Sequence, residues 1–232
     1  MCGRYTLTVE EPAVLDRFGL TATELILTPR YNIAPTQPIP VVLNTSSETL
    51  SVAKWGLVPS WAKDVKMAAT MINARSETLL EKPSFRTILK SQRCLVVADG
   101  FYEWKKNEDG TKTPYRVKLH SGEVFAMAGL WDTWKAPDGT RLRTCTIITT
   151  TANEVLAPLH ERMAVILPPE AERLWLEQDT PNTLLDLLHP YPSEKMMAYE
   201  VSPRVNSIKN DDPSLIEAVI SVPKLKQGDL FS

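Results

Sequence analysis

The fold is decided by the stretch Cys94-Leu95-Val96-Val97-Ala98-Asp99-Gly100-Phe101-Tyr102-Glu103-Trp104-Lys105. Its first five residues form a continuous apolar run, which predicts a buried strand with an inert, structural Cys94. The run stops at Asp99-Gly100, and an aromatic segment that contains Glu103 follows. If the Glu103 carboxyl is buried, desolvation raises its pKa and suits it to general acid–base catalysis. The local sequence leaves an alternative open, in which Glu103 points to solvent from a half-exposed strand.

Strands and turns are predicted on both sides of this stretch. Turns at 107–110 and 136–139 separate strands at about 114–119, 123–131 and 142–151, and this middle third reads as consecutive antiparallel strands. Further strands are predicted at 4–8, 39–43, 49–55, 164–167 and 197–201, and the stretch 30–38 reads as an extended loop. Helices are predicted at 10–18, 83–93, 153–159, 168–178 and 180–188.

Composition excludes several classes of protein. The 232 residues are 43% hydrophobic, enough for one large domain or two small ones. A net charge of −2 indicates no general affinity for polyanions, so nucleic-acid binding would need a local basic patch. No apolar run approaches the ~18 residues of a membrane span. Three cysteines and no export signal favour free thiols in a reducing cytosol, and no Cys or His spacing is typical of a zinc site.

The first residues, Met1-Cys2-Gly3-Arg4, carry the most unusual chemistry of the chain. A small residue at position 2 normally allows the initiator methionine to be removed, which would leave Cys2 at the amino terminus. Its α-amine can condense with an aldehyde to an imine, and its thiol can then close a five-membered thiazolidine ring. The alternative is that Cys2 is an incidental residue on a loose tail.

Other polar residues qualify as partners for Cys2. Asn73, Glu103 and His160 supply an amide, a carboxyl and an imidazole that could act as acid, base or hydrogen-bonding group. Four arginines suit phosphate contacts, namely Arg4, Arg75, Arg162 and Arg204. Of the two tryptophans that bracket a Gly- and Pro-containing loop, Trp55 is predicted in the core and Trp61 as an exposed stacking platform or wedge, with burial of both as the alternative.

Seven motifs together carry a family resemblance. They are Met-Cys-Gly-Arg at 1–4, Tyr-Asn-Ile-Ala-Pro-Thr-Gln at 31–37, Trp-Gly-Leu-Val-Pro-Ser-Trp at 55–61, Ile-Asn-Ala-Arg-Ser-Glu-Thr at 72–78, Asp-Gly-Phe-Tyr-Glu-Trp at 99–104, His-Glu-Arg-Met at 160–163 and Val-Ser-Pro-Arg-Val-Asn at 201–206. The chain resembles the SRAP family, named for an SOS-response-associated peptidase activity, whose members crosslink to abasic sites in single-stranded DNA. It departs at Ala164, where family members often have proline.

The resemblance implies a role for each candidate residue. Cys2 would form a thiazolidine with the ring-opened abasic sugar, Asn73 would hold that ring, Glu103 would move protons, and His160 would assist at the sugar hydroxyl and in slow reversal. Arg4 and Arg75 would grip phosphates, with Arg162 and Arg204 as further DNA-binding candidates, and Trp61 would stack on a base. The same residues are linked in the family to removal of a leading peptide ahead of the cysteine.

The resemblance also implies the architecture and partners. It predicts one compact α+β domain at 1–222, built around antiparallel, partly barrel-like sheet with peripheral helices. The residues after this domain, with Lys224, Lys226 and Gly228, predict a mobile tail at 223–232. The expected partner is abasic single-stranded DNA, with no cofactor, metal or membrane, for a monomer in the cytoplasm that joins the nucleoid during DNA damage. Two alternatives stay open: a cysteine peptidase acting on other proteins, and a non-covalent binder of single-stranded DNA.

Overall fold

The computed structural model describes residues 2–178 and 180–219, which form two β-sheets with short helices around them. The strands are β1 (Tyr5–Leu7), β2 (Ala22–Thr23), β3 (Arg30–Ile33), β4 (Pro38–Leu43), β5 (Ser46–Trp55), β6 (Asn73–Arg75), β7 (Arg93–Ala98), β8 (Gly100–Lys106), β9 (Lys112–Leu119), β10 (Phe125–Lys135), β11 (Arg141–Thr151), β12 (Arg162–Ala164), β13 (Ile166–Leu167) and β14 (Met196–Glu200). The helices are α1 (Glu11–Phe18), α2 (Pro83–Arg86), α3 (Ile88–Ser91), α4 (Pro169–Glu177) and α5 (Pro181–Leu185). Short 3-10 helices lie at Val65–Thr70, Ser76–Thr78, Ser193–Lys195, Pro203–Asn206 and Pro213–Ile216. The predicted tail at 223–232 lies outside the described residues.

The larger sheet closes on itself. Strands β5, β4, β7, β10 and β11 follow one another in antiparallel pairs, and a parallel pairing between β11 and β5 joins the two ends into a five-stranded barrel. Every residue of β7 is buried, as expected for a strand in the barrel wall. The predicted α+β class with antiparallel, partly barrel-like sheet is therefore confirmed.

The second sheet has the order β14-β9-β8-β1-β3 and is antiparallel throughout. The chain leaves the barrel at the end of β7 and enters this sheet as β8, with only Asp99 between them. Asp99 accepts hydrogen bonds from the Thr6 and Thr8 hydroxyls and pairs with Arg116 at 3.2 Å. A Cβ on Gly100 would lie 2.8 Å from the Arg116 Nε, so a larger residue at this crossing would displace the guanidinium that pairs with Asp99.

Several predicted elements differ in the structure. β9 and β10 are not a hairpin: β9 pairs with β8 and β14, whereas β10 pairs with β7, β11 and β13. The extended loop predicted at 30–38 contains strand β3, and the helix predicted at 83–93 is two short helices followed by β7. Residues 153–159 form turns rather than a helix, and the helix predicted at 180–188 ends at Leu185. No helix among the described residues is long and apolar enough to cross a bilayer.

Candidate active site

Cys2 is fixed in the core and does not lie on a loose tail. Its side chain is fully buried, and its carbonyl oxygen accepts a hydrogen bond from the Asn73 Nδ2 at 2.9 Å. Two residues later the chain joins the second sheet, where the Tyr102 N–H donates to the Arg4 carbonyl at 2.9 Å and β1 pairs with β8 through Tyr5. The sheet therefore holds Cys2 in place, and the loose-tail alternative is wrong.

Glu103 lies on β8 beside Cys2. It is 2% exposed, so the alternative that it points to solvent is also wrong. Burial raises the pKa of its carboxyl, as expected for a desolvated acid, although the positive charge of the amino terminus and the Trp104 N–H act in the opposite direction. The charge of Glu103 in turn adds to burial in raising the pKa of the Cys2 thiol. The thiol is therefore protonated near neutral pH, unlike the activated thiolate of a cysteine peptidase.

Asn73 reaches the site through strand β6. This strand runs parallel to the end of β11, with Asn73 opposite Ile147. The Asn73 Nδ2 is used by the Cys2 carbonyl, whereas its buried Oδ1 has no hydrogen-bond partner among the described residues. The Nδ2 of the amide therefore holds Cys2, and its Oδ1 can accept a hydrogen bond from a bound substrate.

His160 is positioned by β11, the strand that also pairs with β6. It lies two residues before β12, which pairs with β11 from Arg162 to Ala164. Its Nδ1 accepts a hydrogen bond from the Arg162 backbone N–H at 2.9 Å. The neutral imidazole therefore carries its proton on Nε2 and can act as a donor there. Burial lowers the pKa of His160, and the imidazole is accordingly neutral near pH 7.

The four candidate arginines fall into two groups. Arg75 is exposed, and its guanidinium makes no hydrogen bond with a described residue. The others have protein partners: Arg4 donates to the Asn32 Oδ1 at 2.7 Å and to the Val205 carbonyl at 2.9 Å. Arg204 pairs with Asp212 at 2.9 Å and is exposed.

Arg162 is the predicted DNA contact that the structure disfavours. It is buried, and its guanidinium forms a bidentate pair with Glu77 at 2.7 and 2.9 Å. It also donates to the Thr149 carbonyl at 2.7 Å. Through these bonds, Arg162 connects β12 to the 3-10 helix Ser76–Thr78, which contains Glu77, and so fixes the position of the nearby His160. A desolvated, paired guanidinium is not displayed for a phosphate.

The two tryptophans divide as predicted. Trp55 is fully buried and its Nε1 donates to the Ile72 carbonyl at 2.9 Å, whereas Trp61 is 61% exposed. Burial of both tryptophans is therefore wrong, and Trp61 is available for stacking on a partner.

A cleft of about 380 Å³ brings together three of the candidate residues, Arg4, Glu103 and His160, and its lining is completed by Trp104, Lys112 and Asn206. Cys2 and Asn73 are not part of this lining; they adjoin it through the position of Cys2 beside Glu103 and the bond from Asn73 to Cys2. Sequence reasoning missed Trp104, Lys112 and Asn206 as lining residues. Trp104 and Asn206 close two of the seven motifs, which was an available signal, but Lys112 has none. A second cleft of similar volume, between α1 and α4, contains none of the candidate groups. No cluster of three metal-binding side chains occurs within residues 2–178 and 180–219.

Comparisons with known proteins identify the family and the fold. The family model for SOS response associated peptidase (SRAP) matches residues 1–208. The "Abasic site processing protein YoqW" of Bacillus subtilis is 48% identical over 223 residues, which cover 94% of this chain and 100% of that protein. The "Abasic site processing protein HMCES" of Gallus gallus is 36% identical, over 84% of this chain and 68% of that protein. The crystal structure of a protein from Bacteroides thetaiotaomicron superposes with a TM-score of 0.86 at 29% identity, over 94% of this chain and 100% of that protein.

Proposed function

The chain belongs to the SOS response associated peptidase (SRAP) family, and from that premise we propose that it shields abasic sites in single-stranded DNA through a covalent bond to Cys2. Two relatives are named abasic site processing proteins, which supports this substrate. The observation that carries the proposal is that Asn73 fixes Cys2 beside the buried carboxyl of Glu103. The reaction needs one protein chain and one DNA strand, in keeping with the predicted monomer.

The order of steps follows from the state of the thiol. Because burial keeps the Cys2 thiol protonated, the α-amine is the better first nucleophile. The amine attacks the C1 aldehyde of the ring-opened sugar, and loss of water leaves an imine. The sulfur then adds to the imine carbon, its proton passes to the nitrogen, and the thiazolidine ring closes.

Glu103 and His160 have separate parts in this scheme. The raised pKa of Glu103 brings its carboxyl closer to the range in which it can both give and take a proton, which suits it to ring opening and loss of water. Neutral His160 presents its Nε2–H as a donor in the cleft, which suits a sugar hydroxyl or its oxygen. The free Oδ1 of Asn73 can accept a hydrogen bond from the nitrogen of the adduct.

Removal of Met1 is a condition of this chemistry, because an α-amine held in a peptide bond cannot form an imine. We include in the proposal that the same groups support this processing, which would make the chain its own first peptide substrate. We expect intact mass spectrometry to show loss of Met1 in the parent protein and retention of Met1 in a fraction of Glu103→Gln or Asn73→Ala protein. Complete processing in both variants would contradict this part.

The main test mixes the purified protein with an oligonucleotide that has one abasic site and analyses the product on a denaturing gel. We expect an adduct that survives denaturation, with a mass gain equal to the DNA less one water. Cys2→Ala should abolish the stable adduct. Cys2→Ser should give only an imine, which borohydride traps. Cys145→Ala, which removes a buried thiol of the barrel wall, is the matched control and should react like the parent.

Each other result identifies an alternative. Undiminished crosslinking by Cys2→Ala would refute the proposal. Turnover of unrelated peptides without need of an aldehyde would favour the cysteine peptidase. Salt-dependent DNA binding with no covalent product would favour the non-covalent binder.

A further inference from the structure

We propose that Trp104 and Lys112 form a binding subsite for the nucleotide that adjoins the abasic site. In this subsite the Trp104 indole stacks on the neighbouring base, and the Lys112 ammonium pairs with a neighbouring phosphate. The inference rests on the proposed function, which identifies the substrate as abasic DNA. It adds Trp104 and Lys112, both from the β8–β9 hairpin, to the DNA-binding residues that the sequence predicts.

The cleft reaches both residues because β8 is only partly covered. β1 pairs with β8 at Gly100 and Phe101, and beyond the contact of Tyr102 with Arg4 the rest of this edge of β8 lacks a strand partner among the described residues. A cleft along this edge meets side chains from both faces of the strand. The lining of the cleft accordingly contains the buried Glu103 together with its neighbour Trp104.

Trp104 is held in a fixed orientation. Its Nε1 donates to the Asn206 Oδ1 at 2.8 Å, and its ring packs against the apolar cluster formed by Tyr102, Val201, Val205 and Leu215. The remaining surface of the ring is half-buried and faces the cleft. An indole that is already ordered loses little conformational entropy when a base stacks on it.

Lys112 supplies a positive charge at the mouth of the same cleft. It pairs across the hairpin with Lys106, next to Lys105, and all three side chains are exposed. None of the three lies within ion-pair distance of a carboxylate among the described residues, and Asp109 in the connecting turn is engaged by Thr111. Each ammonium is therefore available to a phosphate.

The substrate gives a physical reason for such a subsite. A nucleotide beside an abasic site has lost a stacking partner, so one face of its base is exposed to water. Stacking on an aromatic side chain stabilises such a base and tolerates any sequence, because every base has a π-face. When the reacting sugar lies beside Cys2 and Glu103, the Trp104 ring can cover this face of the neighbouring base. The stacked base then keeps the sugar aldehyde close to the α-amine of Cys2.

The experiment measures the crosslinking rate with three oligonucleotides. One has a single abasic site, and the others also carry a tetrahydrofuran spacer, which has no base and forms no aldehyde, on the 5′ or the 3′ side. We expect one of the two spacers to slow the parent about tenfold, in line with the loss of one stacked base. In Trp104→Ala the same spacer should have no effect, whereas Trp104→Phe should keep the spacer effect.

The variants separate binding from structure. A purely structural Trp104 would slow all three substrates equally when replaced, with the spacer effect intact, and this result would overturn the proposal. Indifference of the parent to both spacers would overturn it as well. Lys112→Gln should reduce the slope of log affinity against log salt by roughly 0.7, the value for one phosphate on a single strand. Lys90→Gln, an exposed lysine of α3 away from the cleft lining, should leave the slope unchanged.

A parallel measurement keeps the subsite independent of the covalent chemistry. The Cys2→Ala variant binds an oligonucleotide whose reactive site is itself a tetrahydrofuran, and the same flanking spacers are compared by equilibrium affinity. If the parent fails to crosslink at all, the proposed function fails. The subsite still stands if Cys2→Ala shows the spacer effect and Cys2→Ala with Trp104→Ala does not, and it falls if the two variants respond alike.

Discussion

At the scale of single residues, burial decides what the side chains of the site can do. Glu103 shows this most directly, because desolvation raises the pKa of its carboxyl. The folded protein therefore holds this proton more tightly than the unfolded chain does, in which a glutamate titrates near ~4.3. Stability contributed by protonated Glu103 is present below that pH and is lost as the pH rises through the folded pKa.

We expect Glu103→Gln to stabilise the protein in a pH-dependent way. Glutamine has a similar shape and never ionises, so the free energy of unfolding should differ little from that of the parent at pH 4. The difference should then grow in favour of Glu103→Gln as the pH rises above ~4.3, and it should level off once the pH has passed the folded pKa of Glu103. Urea unfolding at several pH values provides the measurement. Glu108→Gln, an exposed residue of the β8–β9 turn, is the control and should show no such trend. A difference that stays constant with pH would contradict the argument.

Also at this scale, residue types indicated candidates for the site but not the contacts of those candidates. Cys2, Glu103 and His160 could be selected from the sequence by their functional groups, with the family motifs to order them. The pairing of Arg162 with Glu77 could not be recognised in this way, because the two residues are 85 positions apart and nothing in their spacing distinguishes an internal ion pair of Arg162 from a phosphate contact.

At the scale of elements, the sequence predicted strands more reliably than their partners. The apolar run of β7 and the β-branched residues of β11 specify strands locally. By contrast, β9 and β10 follow one another like a hairpin yet lie in different sheets, since alternation fixes which face of a strand is buried and not which strand it joins. The convergence of Asn73 and His160 depends on two such long-range choices, the pairing of β6 and of β12 with β11.

One close approach between elements connects the barrel to the site. Gly56 follows β5, has a φ of 121°, and a Cβ built on it would lie 2.4 Å from the Ala68 carbonyl oxygen. Ala68 belongs to the 3-10 helix Val65–Thr70, which leads into the strand of Asn73. A side chain at position 56 would push this helix away and move Asn73 with it.

We therefore expect Gly56→Ala to cost more than the conformational penalty of its backbone. Gly110→Ala is the matched control, because Gly110 also has a positive φ, 83°, but nothing lies within 4 Å of its added Cβ. The control should lose about 1–2 kcal/mol of unfolding free energy, the cost of a left-handed conformation. Gly56→Ala should lose about 1–3 kcal/mol more, the usual cost of overpacking. Thermal and urea unfolding measure both values, and equal losses would show that the helix yields freely.

At the scale of the whole molecule, the positive charges that could bind DNA are local, because the chain has no net positive charge. The net charge of −2 would repel a polyanion on average, yet exposed cations lie on several elements near the site. Arg75 follows Asn73 on β6, and Lys112 lines the cleft. Arg162 is in the same region, but its guanidinium is paired with Glu77, so a DNA contact by Arg162 would have to compete with this ion pair.

This arrangement leads to an expected salt dependence for non-covalent binding, measured with Cys2→Ala so that no adduct forms. Each phosphate neutralised on a single strand contributes a slope of roughly −0.7 in log affinity against log salt, because counterions are released. If Arg75 and Lys112 each contact one phosphate, replacing both by glutamine should flatten the slope by roughly 1.4. Glu77→Gln with Arg162 intact tests the ion pair between these two residues. It frees a cation, so a slope that steepens would show that Arg162 can turn to the DNA, whereas an unchanged slope would confirm that its place is structural.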